Sequence, residues 1–133
     1  MTAKSDYLEA ANLDHIFRTA SLSKPASIHI SLHTADPGED GAGAEVSGGS
    51  YARVQVGPSD ATWNRTNNTV SNAAQITFPT PSANWGTITH TGVWDASSGG
   101  NLLYKAALST SKTVNNGDDA PFFAAGDLSY SED

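Results

Sequence analysis

Residues 28–56, IHISLHTADPGEDGAGAEVSGGSYARVQV, decide the fold. Ile28, Ile30 and Leu32 alternate with His29, Ser31 and His33, the period-2 pattern of a strand with one apolar face. The pattern breaks at Asp36-Pro37-Gly38 into a glycine-rich acidic loop. It resumes where Ala52, Val54 and Val56 alternate with Tyr51, Arg53 and Gln55. The same grammar recurs in WGTITH at 85–90 and DASSGGNLL at 95–103: a strand, a glycine-rich turn, and a return strand.

Working outward, residues 6–20 carry the one helical period. Ala10, Leu13, Ile16, Phe17 and Ala20 fall on one face, Ser5 or Asp6 can cap the start, and Glu9 stands at capping-box spacing from Asp6. Pro25 ends any continuation. Beyond it, turn signals return every ~8–12 residues, as in sandwiches and barrels. The expected strands are 27–34, 51–56, 61–63, 69–71, 75–78, 87–95, 102–108, 122–124 and 128–130, with Asn116-Gly117 as the favoured hairpin turn. The predicted fold is all-β: a jelly-roll-like β-sandwich in a single domain over 1–133, opened by one α-helix at 5–20, with its strands between 27 and 130.

Composition narrows the function classes. A chain of 133 residues is one domain in size and buries ~65% of its unfolded surface without staples. With no cysteine there is neither a disulfide framework nor a thiolate metal site. No apolar run reaches the ~20 residues of a membrane helix, and residues 1–6 lack a signal-peptide core, so neither a membrane nor general secretion is expected. At a net charge of −7, with the seven basic residues scattered singly, nucleic acid is not an expected partner either.

Several groupings invite a chemical role and read more simply as structure. Asp36, Glu39, Asp40 and Glu45 could surround a cation, but their spacing does not match a calcium loop, and a solvated acidic rim is the expectation. His29 and His33 share a strand face yet lie ~13 Å apart, too far for one metal ion. The serines of 47–49 and 97–100 sit beside glycines without the nucleophile-elbow pattern. No catalytic residue, cofactor or metal is therefore expected, and the chain is not read as an enzyme. Trp63, Trp85 and Trp94, with Tyr51, Tyr104 and Tyr130, suit a sandwich core, an intersubunit core or a sugar platform. Trp94 is expected in the core, and Trp85, beside Asn84 and Gly86, near a surface. Asn64-Arg65-Thr66 and Asn67-Asn68-Thr69 fit the glycosylation sequon but read as turns.

The motif order resembles a family of small tailed-phage virion proteins, labelled tail fibre proteins and related to capsid cement and decoration domains. The matching pieces are the opening helix, 32–38, 45–53, Phe78-Pro79, 85–90, 99–103, 112–115 and 125–128, nearly the whole chain in order. The resemblance implies a virion structural protein assembled in the host cytoplasm. One expectation is a capsid cement subunit, a homotrimer seated on the major capsid protein, since a ligand of the assembled shell stabilises that shell. The alternative is a tail fibre, receptor-binding tip or adaptor bound to tail proteins, with carbohydrate as a candidate ligand. The chain lacks the heptads or repeats of a free-standing shaft. The expected interface residues are Leu13, Ile16, Phe17, Asp36, Glu39, Asp40, Glu45 and Trp85, with the helix docked on its own sandwich or on a neighbouring subunit.

Overall fold

A computed structural model describes residues 2–132. It is a β-sandwich with one N-terminal helix. The larger layer is an antiparallel sheet formed by β1 (Thr2–Lys4), β8 (Leu102–Val114), β7 (Gly86–Trp94), β2 (His29–His33) and β3 (Val54–Gln55), in that spatial order. Facing it are a three-stranded sheet of β10 (Ser129–Ser131), β5 (Thr69–Asn72) and β4 (Trp63–Thr66), and a ribbon of β6 (Ile76–Thr77) with β9 (Phe122–Phe123). The alternating apolar residues explain the layers. Ile30, Leu32, Val93 and Ala106 on the large sheet share one core with Ile76, Phe78, Leu128 and Tyr130 on the small ones. Across that core Thr91 and Tyr130 join hydroxyls at 2.8 Å.

Strand β2, between β7 and the edge strand β3, departs from a half-buried pattern, because every residue from His29 to His33 is buried. Ile30 and Leu32 face the shared core. The polar side is roofed by the 36–50 segment, which the sequence places as a loop and turn between two strands. Thr34 N and Val46 N donate back to Ala44 O and Leu32 O at 3.0 Å each, stitching that roof to the strand's end.

The helix α1 runs from Asp6 to Phe17, three residues short of the expected end at 20. Ser5 is its N-cap, with Oγ accepting from Leu8 N at 3.1 Å and donating to Leu102 O. Strand β1, ahead of the helix, is absent from the sequence expectation. Three residues show no readable period, and it forms by pairing with Tyr104–Ala106 of β8. Strand β8 itself runs on to Val114, beyond the expected 108, with a register shift against β7 between Ile88 and His90. The Asn116-Gly117 turn is present, with Asp118 N donating to Asn115 O at 3.1 Å, but it is not a hairpin: β8 pairs with β7, and β9 with β6. The two-residue hairpin is Asn67-Asn68, between Thr66 and Thr69, with Asn67 at φ 53°. Asparagine tolerates that left-handed conformation better than most residues. The stretch 64–66, read as a turn, is instead part of β4.

Candidate functional site

The glycine-rich loop is held by a polar network on the back of β2. Ser31 and His33 project the same way, with Ser31 Oγ 2.7 Å from His33 Nε2. Trp94 Nε1 donates to Ser31 Oγ at 2.8 Å, and His33 Nδ1 lies 2.8 Å from Gly43 O. A carbonyl only accepts and an indole N–H only donates, so the protons are assigned. His33 carries its proton on Nδ1, and the Ser31 hydroxyl donates to Nε2. Each of these polar atoms has a partner. Burial lowers the His33 pKa, outweighing the Gly43 hydrogen bond and the Glu45 charge, while Arg53 and His90 lower it further.

A serine 2.7 Å from a histidine has the distance of a nucleophile and its base. Both residues are 0% exposed, the hydroxyl proton is committed to His33, and an indole occupies the oxygen. The pair holds the loop rather than opening to a substrate.

Arg53, which the sequence places only as a strand polar position, and Tyr51, which it also offers for an aromatic core or platform, complete this network. Arg53 Nε and Nη2 fork onto Glu45 at 2.9 and 2.8 Å, while Nη1 donates to Ala96 O and Gly99 O. One guanidinium thus ties the 36–50 loop to the β7–β8 turn. Tyr51 OH donates to Glu45 Oε2 at 2.7 Å and accepts from Leu32 N at 3.0 Å. Burial pushes Glu45 up, but the Arg53 and Tyr51 hydrogen bonds and the Arg53 charge outweigh it, leaving its pKa below the ordinary value. Burial, above all, raises the Tyr51 hydroxyl far above its ordinary range, so it remains a donor. Gly41 is a further fastening point: at φ +75°, its α-carbon comes so near that a Cβ would lie 2.5 Å from the Trp94 ring.

The eight expected interface residues therefore separate. Glu45 belongs to the internal network, because a paired carboxylate can leave the rim. Trp85 is not near a surface. It is 5% exposed, donates Nε1 to Gly49 O at 2.9 Å, and meets Tyr51 edge-on. Trp94 is buried as expected, against the roofed face rather than in the shared core. Asp36 remains on the rim, bound to Lys105 Nζ at 2.8 Å, which holds its pKa down. Asp40 accepts from Ala42 N within its own loop. Glu39 stands beside Asp6 and Glu9 at the start of α1, and those charges raise its pKa, Asp6 most. Asp36, Asp40 and Glu45 thus take separate partners, and no group of three metal-ligating side chains gathers among the described residues.

Leu13, Ile16 and Phe17 do not dock on their own sandwich. They are 58%, 69% and 78% exposed, whereas Leu8 in the first turn of α1 is buried in the core. The helix turns an apolar side inward at its start and another outward at its end.

The architecture is thus a β-sandwich with internally braced loops and a helix whose apolar end faces outward. The chain belongs to the family described as Podophage GP4 fiber I protein gp80, which it matches over residues 3–131. The resemblance to small tailed-phage virion proteins thus holds, and the protein is a phage fibre-like structural component of the virion. No curated protein matches the chain significantly.

Proposed function

We propose that this protein is a non-enzymatic fibre subunit that associates with copies of itself, as a small cyclic oligomer such as a homotrimer, through the outward side of α1. The observation that carries this reading is the exposure of Leu13, Ile16 and Phe17 on a helix already anchored in the core by Leu8. Exposed apolar side chains clustered at one end of a helix mark a surface suited to burial against a partner. At 12 residues it is also too short to hold itself in water without packing. A second copy is the economical cover, since one patch repeated around a symmetry axis supplies every side of the interface. Fibre length then comes from assembly with other virion proteins, because the chain has no shaft-forming repeat of its own.

The test has two parts. Sedimentation velocity of the purified protein is expected to give an oligomer, and Phe17→Asp a folded monomer. A wild-type monomer at ~10 μM would remove the self-association reading. Cryo-microscopy of particles is expected to place the protein in fibre density. Density on the shell lattice instead would restore capsid decoration, the role in which binding energy stabilises the assembled shell.

A further inference from the structure

A second surface is lined by none of Leu13, Ile16 and Phe17 and by none of the 36–50 loop. It is an open groove of about 620 Å³ between the two layers, within the ~300–1,000 Å³ range of small-ligand sites. Its floor is aromatic. Tyr130 is buried, and Trp63 and Tyr104, both half-buried, flank it with ring centroids 6.2 and 6.4 Å away. Trp63 is fixed by its Nε1–H donating to Val56 O at 2.8 Å, so its ring is set before any ligand arrives.

The rim is charged in an unusual way for this chain. Of its seven basic residues, Lys4, Arg18, Arg53 and Lys105 are in ion pairs. Among the described residues that leaves Lys24, Arg65 and Lys112 without an acidic partner, and the first two line this groove. Arg65 is oriented by donating Nη1 to Asn67 O at 2.9 Å. Two acids share the rim: Glu132 is occupied by Lys4 at 3.0 Å, and Asp60 makes no ion pair. The groove thus offers two available cations against one available carboxylate, in a protein whose net charge is −7.

We infer that this groove binds an acidic saccharide, a sugar chain bearing carboxylates. The C–H face of a pyranose ring stacks on a fixed aromatic face. Hydroxyls need donors and acceptors side by side, as the rim amides and carboxylates provide. A guanidinium takes a carboxylate in a two-pronged hydrogen bond. A nucleic-acid strand would also stack on the aromatics, but its phosphate chain is repelled by the net charge and the rim acids. A neutral sugar leaves Lys24 and Arg65 with nothing to do. The inference stands on the groove alone and does not require the α1 association.

The test is a set of immobilised bacterial surface glycans, neutral and uronic-acid-bearing, probed with the full chain. Wild type is expected to be retained by acidic glycans and to lose that retention in moderate salt. Arg65→Gln and Lys24→Gln change exposed side chains, and each is expected to weaken retention about tenfold, the scale of one charge-assisted hydrogen bond. Trp63→Phe, which keeps a ring but loses the indole, should weaken it less. Lys112→Gln, removing the third unpaired cation outside the groove, should leave it unchanged. Melting curves of each variant separate lost binding from lost folding. Retention of no glycan, retention of neutral glycans only, or acidic-glycan retention indifferent to Arg65→Gln and Lys24→Gln overturns the assignment.

Discussion

The Arg53 guanidinium lies over the Trp94 indole, its Cζ 3.9 Å from the ring centroid, while the same group forks onto Glu45. Arg53's side chain is 6% exposed and Glu45's 25%. Arg53 therefore spends its charge, its donors and its flat face on fastening two loops to one sheet. Replacing it with alanine strands Glu45 in a half-buried place and frees the carbonyls of Ala96 and Gly99. The expected loss is about 3 kcal/mol, the low end for breaking a buried pair because Glu45 keeps some water. Arg53→Lys should recover only part of it, since an ammonium cannot fork. Denaturant unfolding of the three proteins measures both values.

The histidines behind β2 give stability a pH dependence of known sign. His33 and His29 both have pKa values below the ordinary 6.5, burial being the larger cause, with Arg53 acting on both. Between 6.5 and the lowered values the unfolded chain binds the proton and the folded chain does not. Stability is therefore full above 6.5 and falls as pH drops below it. Glu45, lowered from 4.5, acts in a separate window: its contribution is present above that value and is lost at more acid pH. Melting temperature is expected to fall between about pH 7.5 and 5.5, and His33→Gln to make that slope shallower. An unchanged slope in the variant would mean that His33 titrates alike in the folded and unfolded chain.

Two glycines in the roofing loop test its fit against the sheet. Gly41 and Gly48 have nearly the same backbone, at φ +75° and +74°, so alanine at either pays about 1–2 kcal/mol for a left-handed conformation. Only at Gly41 does the new Cβ meet a neighbour, the Trp94 ring at 2.5 Å; at Gly48 it meets open space. Gly41→Ala is expected to be worse than Gly48→Ala by a further ~1–3 kcal/mol, the cost of overpacking. Chemical denaturation of the pair isolates that difference, because the backbone term cancels.

Much of this architecture is legible in the chain, and what is not has a common physical origin. The strand at Ile30 announces itself because its one apolar face writes a period of two, although the roof buries its polar side as well. The Ser5 cap is legible because it acts over three residues. The fastening of His33 to Gly43 and of Arg53 to Ala96 spans ten and 43 residues, and nothing local marks it. Trp85 illustrates the limit: polar and glycine neighbours suggest a surface, while its burial is decided by Gly49 and Tyr51, distant in sequence. Lys24 and Arg65 likewise meet at one groove only after the sheets have packed.

The apolar side chains of α1 provide the sharpest contrast between a fold contact and an assembly contact. From periodicity alone, Phe17→Ala is expected to cost ~3–5 kcal/mol wherever that ring is fully buried. In the isolated chain it is 78% exposed and Leu8 is 7% exposed, which moves the cost from one residue to the other. Leu8→Ala should destabilise the monomer by about 2–5 kcal/mol through the cavity it leaves. Phe17→Ala should change the monomer by no more than about 0.5 kcal/mol. If α1 is covered by a second copy, the wild-type melting temperature will rise with protein concentration, because assembly draws on the folded state alone. Phe17→Ala should flatten that dependence while leaving the dilute limit in place. A wild-type melt independent of concentration, together with a neutral Phe17→Ala, would sink the self-association and leave α1 to another virion partner.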